Sequence, residues 1–532
     1  MTADSLSASV LLIANPFQLP SSQRVWGTGG WQPPEMREAL DWLCLVRGLG
    51  WGVKLAFPDA ASIARGLSAE LRWIIVACDP DELTGDSVKL LREALVATPA
   101  LLLGRVAARA SEWSALGGVW KTGNLIRGRS LSWNGDCAQQ WQARNELSGM
   151  SVSCDAGGEV LACLDQLPIV VARRQGRGTV LTLGFHPSEI RDADGCGTAL
   201  LRKCLICASL QPVAWFDLSN TMALRMDDPG AAQSVYLSSW SYRQLGRQEW
   251  GQVMDILDTH LATLSVAYVG GWVDDGDPKR GNLRVGGNDV ERVAGQIHPS
   301  AEVVYEDIAG QFPGTIHDYA GQYDSLRKGQ DLGLIDIELH GYTHMNPDLR
   351  AWSVAPDRYS SVHWFRELGA YGDRLAGRPV EHPVFKGMSE IERRFGVKPS
   401  TLICPGDEWS QIALELALDG GVQSISSYYY AFRFGGRFCW SQHLCAPYLD
   451  EPDSSWLDSG LPVVGYFHDA EISQKGSQWL ESCLSEWQHL GMQRFVSLRV
   501  LSEIYSGRLV LDAREEGWVL LFDSVPRKFS DC

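Results

Sequence analysis

The feature that most constrains this chain is an alternation of strand-sized and helix-sized apolar segments that runs through the first 214 residues and starts again at Trp215. Residues 9–16 (SVLLIANP) read as a strand, 33–50 as a helix with a glycine stop, and 51–58 as a strand. Residues 70–80, 81–97 and 99–104 repeat the cycle, and 166–187 read as a hairpin turning at Gly176 to Gly178. Strands alternating with helices predict a parallel sheet covered on both faces. The second run (221–228, 261–277, 332–344, 400–409, 461–469 and 494–507) differs in one respect: several of its strands end in polar residues. Active sites of β/α barrels are built at that end of the strands. The expectation is an α/β protein with one domain over 1–214 and a distorted β/α barrel over 215–532, a short hairpin closing the tail.

Charge and cysteine usage narrow the function classes. The 47 Lys and Arg against 64 Asp and Glu leave a net charge of −17, which disfavours a phosphate-binding surface and so excludes nucleic acid as a partner. No apolar run reaches membrane-spanning length, and the N-terminus lacks the basic start and cleavage site of a secretory signal. Thirteen scattered cysteines with a single C-x-x-C at Cys204 to Cys207 read as reduced, buried thiols. A cytoplasmic protein without a transmembrane segment is expected.

Four strand ends carry groups that can do chemistry. His340 and His344 follow LIDIEL at i, i+4 spacing, which lets two imidazoles reach one metal ion. Chance alone supplies roughly 0.2 such pairs here, so packing at a strand exit is the alternative. Asp227 and Asp228 close a strand before Pro229-Gly230; adjacent carboxylates suit a cation plus a base, or else turn and cap chemistry. Asp274-Asp275 is a rival pair whose turn-rich surroundings read as a solvated loop. In 403–409, Pro405-Gly406 exposes backbone N–H groups suited to an oxyanion, with Asp407 as a helix cap in the alternative. Phe467-His468-Asp469 sets a histidine beside a carboxylate, a tuned acid or base or a structural pair.

The order of these pieces resembles the polysaccharide deacetylase superfamily, the NodB homology domain of carbohydrate esterase family 4, over roughly residues 215–507. The resemblance implies Asp227 as catalytic base, Asp228, His340 and His344 as ligands of a divalent metal with Zn2+ the default for N2O ligation, and His468 as general acid. Three positions depart from the family pattern: Ile403 stands where its third motif has Arg, Asp407 where that motif has Gly, and Met226 where the first motif has an aromatic before the acids. Arg225, two residues before Asp227 and on the same strand face, is the candidate to orient the base instead. Pro405, Gly406 and Trp409 are the candidate oxyanion and substrate contacts. Among the 21 tryptophans, Trp240, Trp272, Trp352 and Trp440 could join Trp409 as sugar platforms.

Residues 1–214 look like a class I glutamine amidotransferase-like, flavodoxin-like domain on Phe185-His186-Pro187. The strand end at Leu103-Gly104-Arg105 offers no thiol where that family keeps its nucleophile, so a non-catalytic role is implied: assembly as a homo-oligomer, a protein partner, or shaping of the cleft. Together the resemblances imply a metal-dependent hydrolase of carbon–nitrogen bonds other than peptide bonds, removing N-acetyl groups from a carbohydrate or glycoconjugate. An inactive glycan-binding scaffold and an amidase of non-sugar amides are the alternatives.

Overall fold

The computed structural model describes residues 9–15, 34–109, 111–135, 138–191, 195–206, 214–236, 240–345, 367–369, 379–511 and 519–521. Trp352 and Cys207 lie outside them. The first sheet has nine strands, five of them parallel in the order Val53–Ala56, Val10–Ile13, Trp73–Val76, Leu101–Arg105, Gly178–Leu183, which is flavodoxin-like. Its four central strands are buried along nearly their whole length and mostly apolar, Val10–Ile13 and Trp73–Val76 without a break, as in sheets covered on both faces. The hairpin Leu167–Gln175 with Gly178–Leu183 forms at the expected turn. Beyond it the sheet continues into an antiparallel ribbon, Val119–Trp133 with Gln139–Cys154.

The second sheet also has nine strands. Ser424–Ser426, Thr401–Ile403, Ile335–Leu339, Leu264–Tyr268, Thr221–Asp227 and Val463–His468 run parallel in that order. The short Arg494–Val496 pairs with the start of Thr221–Asp227. An antiparallel hairpin, Tyr429–Phe434 and Arg437–Cys445, extends the other end. The sheet is not a closed barrel among the described residues: its two ends meet only through a single bridge between Tyr448 and Tyr466. Val519–Leu521 pairs in parallel with Trp215–Asp217, and residues 512–518 of the tail expected to close as a hairpin lie outside the described residues.

One apolar core crosses the expected boundary at 214. Helix Pro34–Gly48 and the first sheet pack with Tyr430, Phe432, Leu498 and Tyr505 of the second half, and Arg47 donates from Nε to the Tyr505 carbonyl at 2.9 Å. A second core lies under the other face of the second sheet. No helix among the described residues is long and apolar enough to cross a membrane, and no disulfide joins the described cysteines.

Candidate active site

Register alone brings the strand-end groups together. Asp227, the last residue of its strand, pairs with His468, the last residue of the adjacent one. The chain then turns sharply: Asp228 adopts φ 41° and Gly230 φ 65°. Strand Ile335–Leu339 delivers His340 one step past its end, where the ring Nδ1 lies 2.9 Å from the Ile403 carbonyl of the neighbouring strand exit. That contact fixes the ring and leaves Nε2 directed elsewhere.

Asp228, His340 and His344 are all buried, and one potential ligand atom from each lies within 4.8 Å of the others. Gln233 donates to Asp228 Oδ2 at 3.2 Å, and His344 Nε2 is 3.6 Å from the same oxygen. Asp228 Oδ1 and His340 Nε2 are buried without a hydrogen-bond partner among the described residues. Burial is also the main reason that the Asp228 carboxyl is pushed up to about 7 and His340 down to about 3, with His344 likewise held well below its ordinary value. Neutral imidazoles and a dry carboxylate with unmet valences are what a divalent cation takes as ligands, so the donor set fits the metal that the resemblance implies.

Arg225 grips Asp227 with both prongs of its guanidinium, Nε to Oδ1 at 2.7 Å and Nη2 to Oδ2 at 2.6 Å. Its remaining Nη1 donates to Ser426 Oγ and the Ser427 carbonyl, both at 2.9 Å, and the Tyr466 ring lies 4.7 Å beneath. A fork tied at four points cannot swing, so it fixes the carboxylate plane. His468 has its own acid: Glu471 accepts from the His468 amide at 2.7 Å and lies 3.7 Å from its ring. Burial works against the charged ring, but Glu471, Asp228 and Asp227 outweigh it and raise His468 to about 9. Asp469 does not do this, because Tyr242 OH and the Gly230 amide occupy its two oxygens.

Asp227, Asp228, His340, His344, Gly406 and His468 all line one cavity of about 300 Å³, together with Asp407 and Trp240. Seven non-glycine residues among those described have positive φ, and three of them, Asp228, His344 and Asp407, are on this wall. Strained backbone of this kind persists where the surroundings enforce it.

Other candidates lie elsewhere. Trp409 stacks on Trp440 at 4.9 Å in the apolar core, and Trp272 packs among Tyr236, Tyr305 and Tyr319; none of these tryptophans lines the cavity. Pro405 sits against the 340–344 turn, 3.1 Å from where a Cβ on Gly341 would be. Asp274 and Asp275 are not a solvated loop: both are buried against Arg292, at 2.7 and 2.6 Å. Asp407 does not cap the following helix, since Ser410 Oγ accepts from the Ala413 amide there at 3.1 Å.

Glu367 gave no signal in the sequence. Its carboxylate accepts from the amides of Tyr342, Thr343 and His344 at 2.7 to 3.2 Å and from Thr343 Oγ1 at 2.7 Å, holding the whole turn between the two histidines. A Cβ at Gly341 would lie 2.3 Å from Glu367 Oε2, so only glycine lets the carboxylate approach.

No family model and no curated protein sequence matches the chain. Among solved structures it is similar to Agd3, a carbohydrate deacetylase, at 11% identity over 94% of this chain and 87% of that one, with a TM-score of 0.41. A Mycobacterium smegmatis structure named as a candidate polysaccharide deacetylase is 13% identical over 58% of this chain and 98% of its own, at 0.31. The exo-β-1,4-mannosidase Op5Man5 from Opitutaceae bacterium strain TAV5 is 15% identical over 39% and 35%, at 0.26. All three scores are low, and what the chain does rests on its own residues.

Proposed function

We propose that the protein is a metal-dependent deacetylase that hydrolyses an N-acetyl group on a sugar, glycolipid or polysaccharide. The observation that carries this is the convergence, in one cavity, of a buried Asp-His-His donor set with an arginine-clamped carboxylate and a histidine held protonated. Asp228, His340 and His344 would hold the ion. When bound, a divalent metal such as Zn2+ supplies Lewis acidity at the acyl group and toward water.

Asp227 accepts the proton of the attacking water, its oxygens aimed by Arg225. The Asp407 amide is committed to the Cys404 carbonyl at 3.0 Å, which leaves Gly406 as the backbone donor for the developing oxyanion. His468, charged at neutral pH, gives its proton to the nitrogen as the carbon–nitrogen bond breaks, so acetate and an amine leave. Trp240, Tyr428 and Tyr448 on the cavity wall offer the flat faces on which sugar rings stack.

Residues 1–214 take no part in this chemistry. Cys78, two residues past the end of the strand Trp73–Val76, is buried and its thiol pushed up to about 12, chiefly by that burial, far from the thiolate a nucleophile needs. The test is Asp227→Asn: the variant keeps its metal and loses roughly 10²-fold or more in kcat. Loss of the metal with Asp227→Asn, and its retention with Asp228→Asn, would reverse the two roles.

A further inference from the structure

We infer that Asp407 determines which glycan is accepted: its carboxylate takes a hydrogen-bond donor, a hydroxyl or an ammonium group, from the sugar beside the scissile acetamide, and turns away glycans carrying an anionic group there. This rests on the deacetylase function proposed above and concerns the same cavity. Asp407 lines that cavity, and one of its oxygens accepts from Ser427 Oγ at 2.6 Å. The other oxygen accepts no hydrogen bond among the described residues, and a carboxylate oxygen can accept two.

The other carboxylates on the wall are already committed. Asp227 holds Arg225 through both oxygens and keeps its remaining capacity for the attacking water, and Asp228 belongs to the ligand set. Asp407 is therefore the acid with acceptor capacity left for a substrate. The helix-cap alternative is excluded, because Ser410 caps the helix that follows. The residue also holds its position at a cost: φ is 54° at Asp407, directly after 58° at Gly406, and a non-glycine residue in that region persists where function or packing retains it.

Charge gives the exclusion. Among the described residues that line the cavity, His468 alone carries a positive side chain, against Asp227, Asp228 and Asp407. An anionic substituent placed beside Asp407 would meet a like charge while the nearby cations are already engaged, Arg225 by Asp227, Ser426 and Ser427, His468 by Glu471, and the proposed ion by its ligands and the acyl group. A hydroxyl or a protonated amine instead gains an acceptor.

The experiment compares the full chain with its Asp407→Asn and Asp407→Gly variants on three substrates: an N-acetylhexosamine oligosaccharide, the same oligosaccharide with one free amine, and one with a carboxylate substituent. Both variants should fold, since Asn and Gly tolerate positive φ, and melting curves with metal content confirm it. The unsubstituted chain should prefer the first two substrates to the third by at least roughly tenfold in kcat/KM. Asp407→Asn should erase any advantage of the free amine over the hydroxyl. Asp407→Gly should raise relative use of the carboxylated substrate roughly tenfold, through KM rather than kcat. An unchanged ranking in both metal-loaded variants overturns the role of Asp407 alone. Inactivity of the unsubstituted, metal-loaded chain on all three overturns the deacetylase function itself.

Discussion

Asp227 and His468 are register partners at the ends of two adjacent parallel strands, so the groups proposed to take and to give the proton stand at one level of the sheet. The pairing makes their separation a property of the strand ladder and not of a loop. Glu471, three residues on, sets the charge of the histidine through its contact with the ring.

His468 acts in its protonated form, which is raised to about 9, so activity should hold at neutral pH and fall as pH climbs through that value. In Glu471→Gln the supporting charge is gone and the alkaline limb of kcat should move down by roughly one pH unit. A pH–rate profile of the two proteins checks this; superimposable alkaline limbs would remove Glu471 from the role.

The Arg225 fork makes a second expectation specific. Lysine keeps the charge but cannot bond both oxygens of Asp227 and also Ser426 and Ser427. Arg225→Lys should therefore bind metal normally and lose about tenfold or more in kcat. Arg225→Met leaves a buried carboxylate uncompensated and should also lower stability by about 3 kcal/mol. Metal analysis, steady-state kinetics and denaturant melts separate the two effects.

Glu367 touches no ligand side chain, yet it organises the turn that carries His344. Glu367→Ala should weaken metal affinity about 10- to 100-fold, as loss of a supporting contact does, while the secondary structure is kept. Competition with a chelator reads the change directly, and an unaltered metal affinity would mean that the turn holds itself.

The strand-end candidate site was legible because four of its groups lie within one residue of the apolar run that positions them, and His344 follows His340 at i+4 spacing. Asp227, Asp228, His340, His344 and His468 stand out for that reason, and Arg225 follows from the two-residue period of the strand. Glu367 was invisible because it reaches the 340–344 turn from more than twenty residues away, with no local pattern to mark it. Asp274 and Asp275 misled because turn residues surround them in sequence while Arg292 neutralises them in space. The ribbon of Val119–Trp133 and Gln139–Cys154 escaped because both strands expose much of their length and lack clean alternation. The shared core was hidden as well: helix Pro34–Gly48 reads as an ordinary covering helix, yet it packs against the helix Leu498–Ser506.

The most direct test measures bound metal and released acetate together, on the full chain and on His340→Ala and His344→Ala. Metal-dependent deacetylation predicts about one divalent ion per chain, acetate released from an N-acetylated oligosaccharide, loss of that release on chelation and its return with Zn2+. Both histidine variants should fold, bind no ion at the site and release no acetate. Variants that release acetate at the unsubstituted rate, or an unsubstituted chain that takes up no ion at saturating Zn2+, would contradict it.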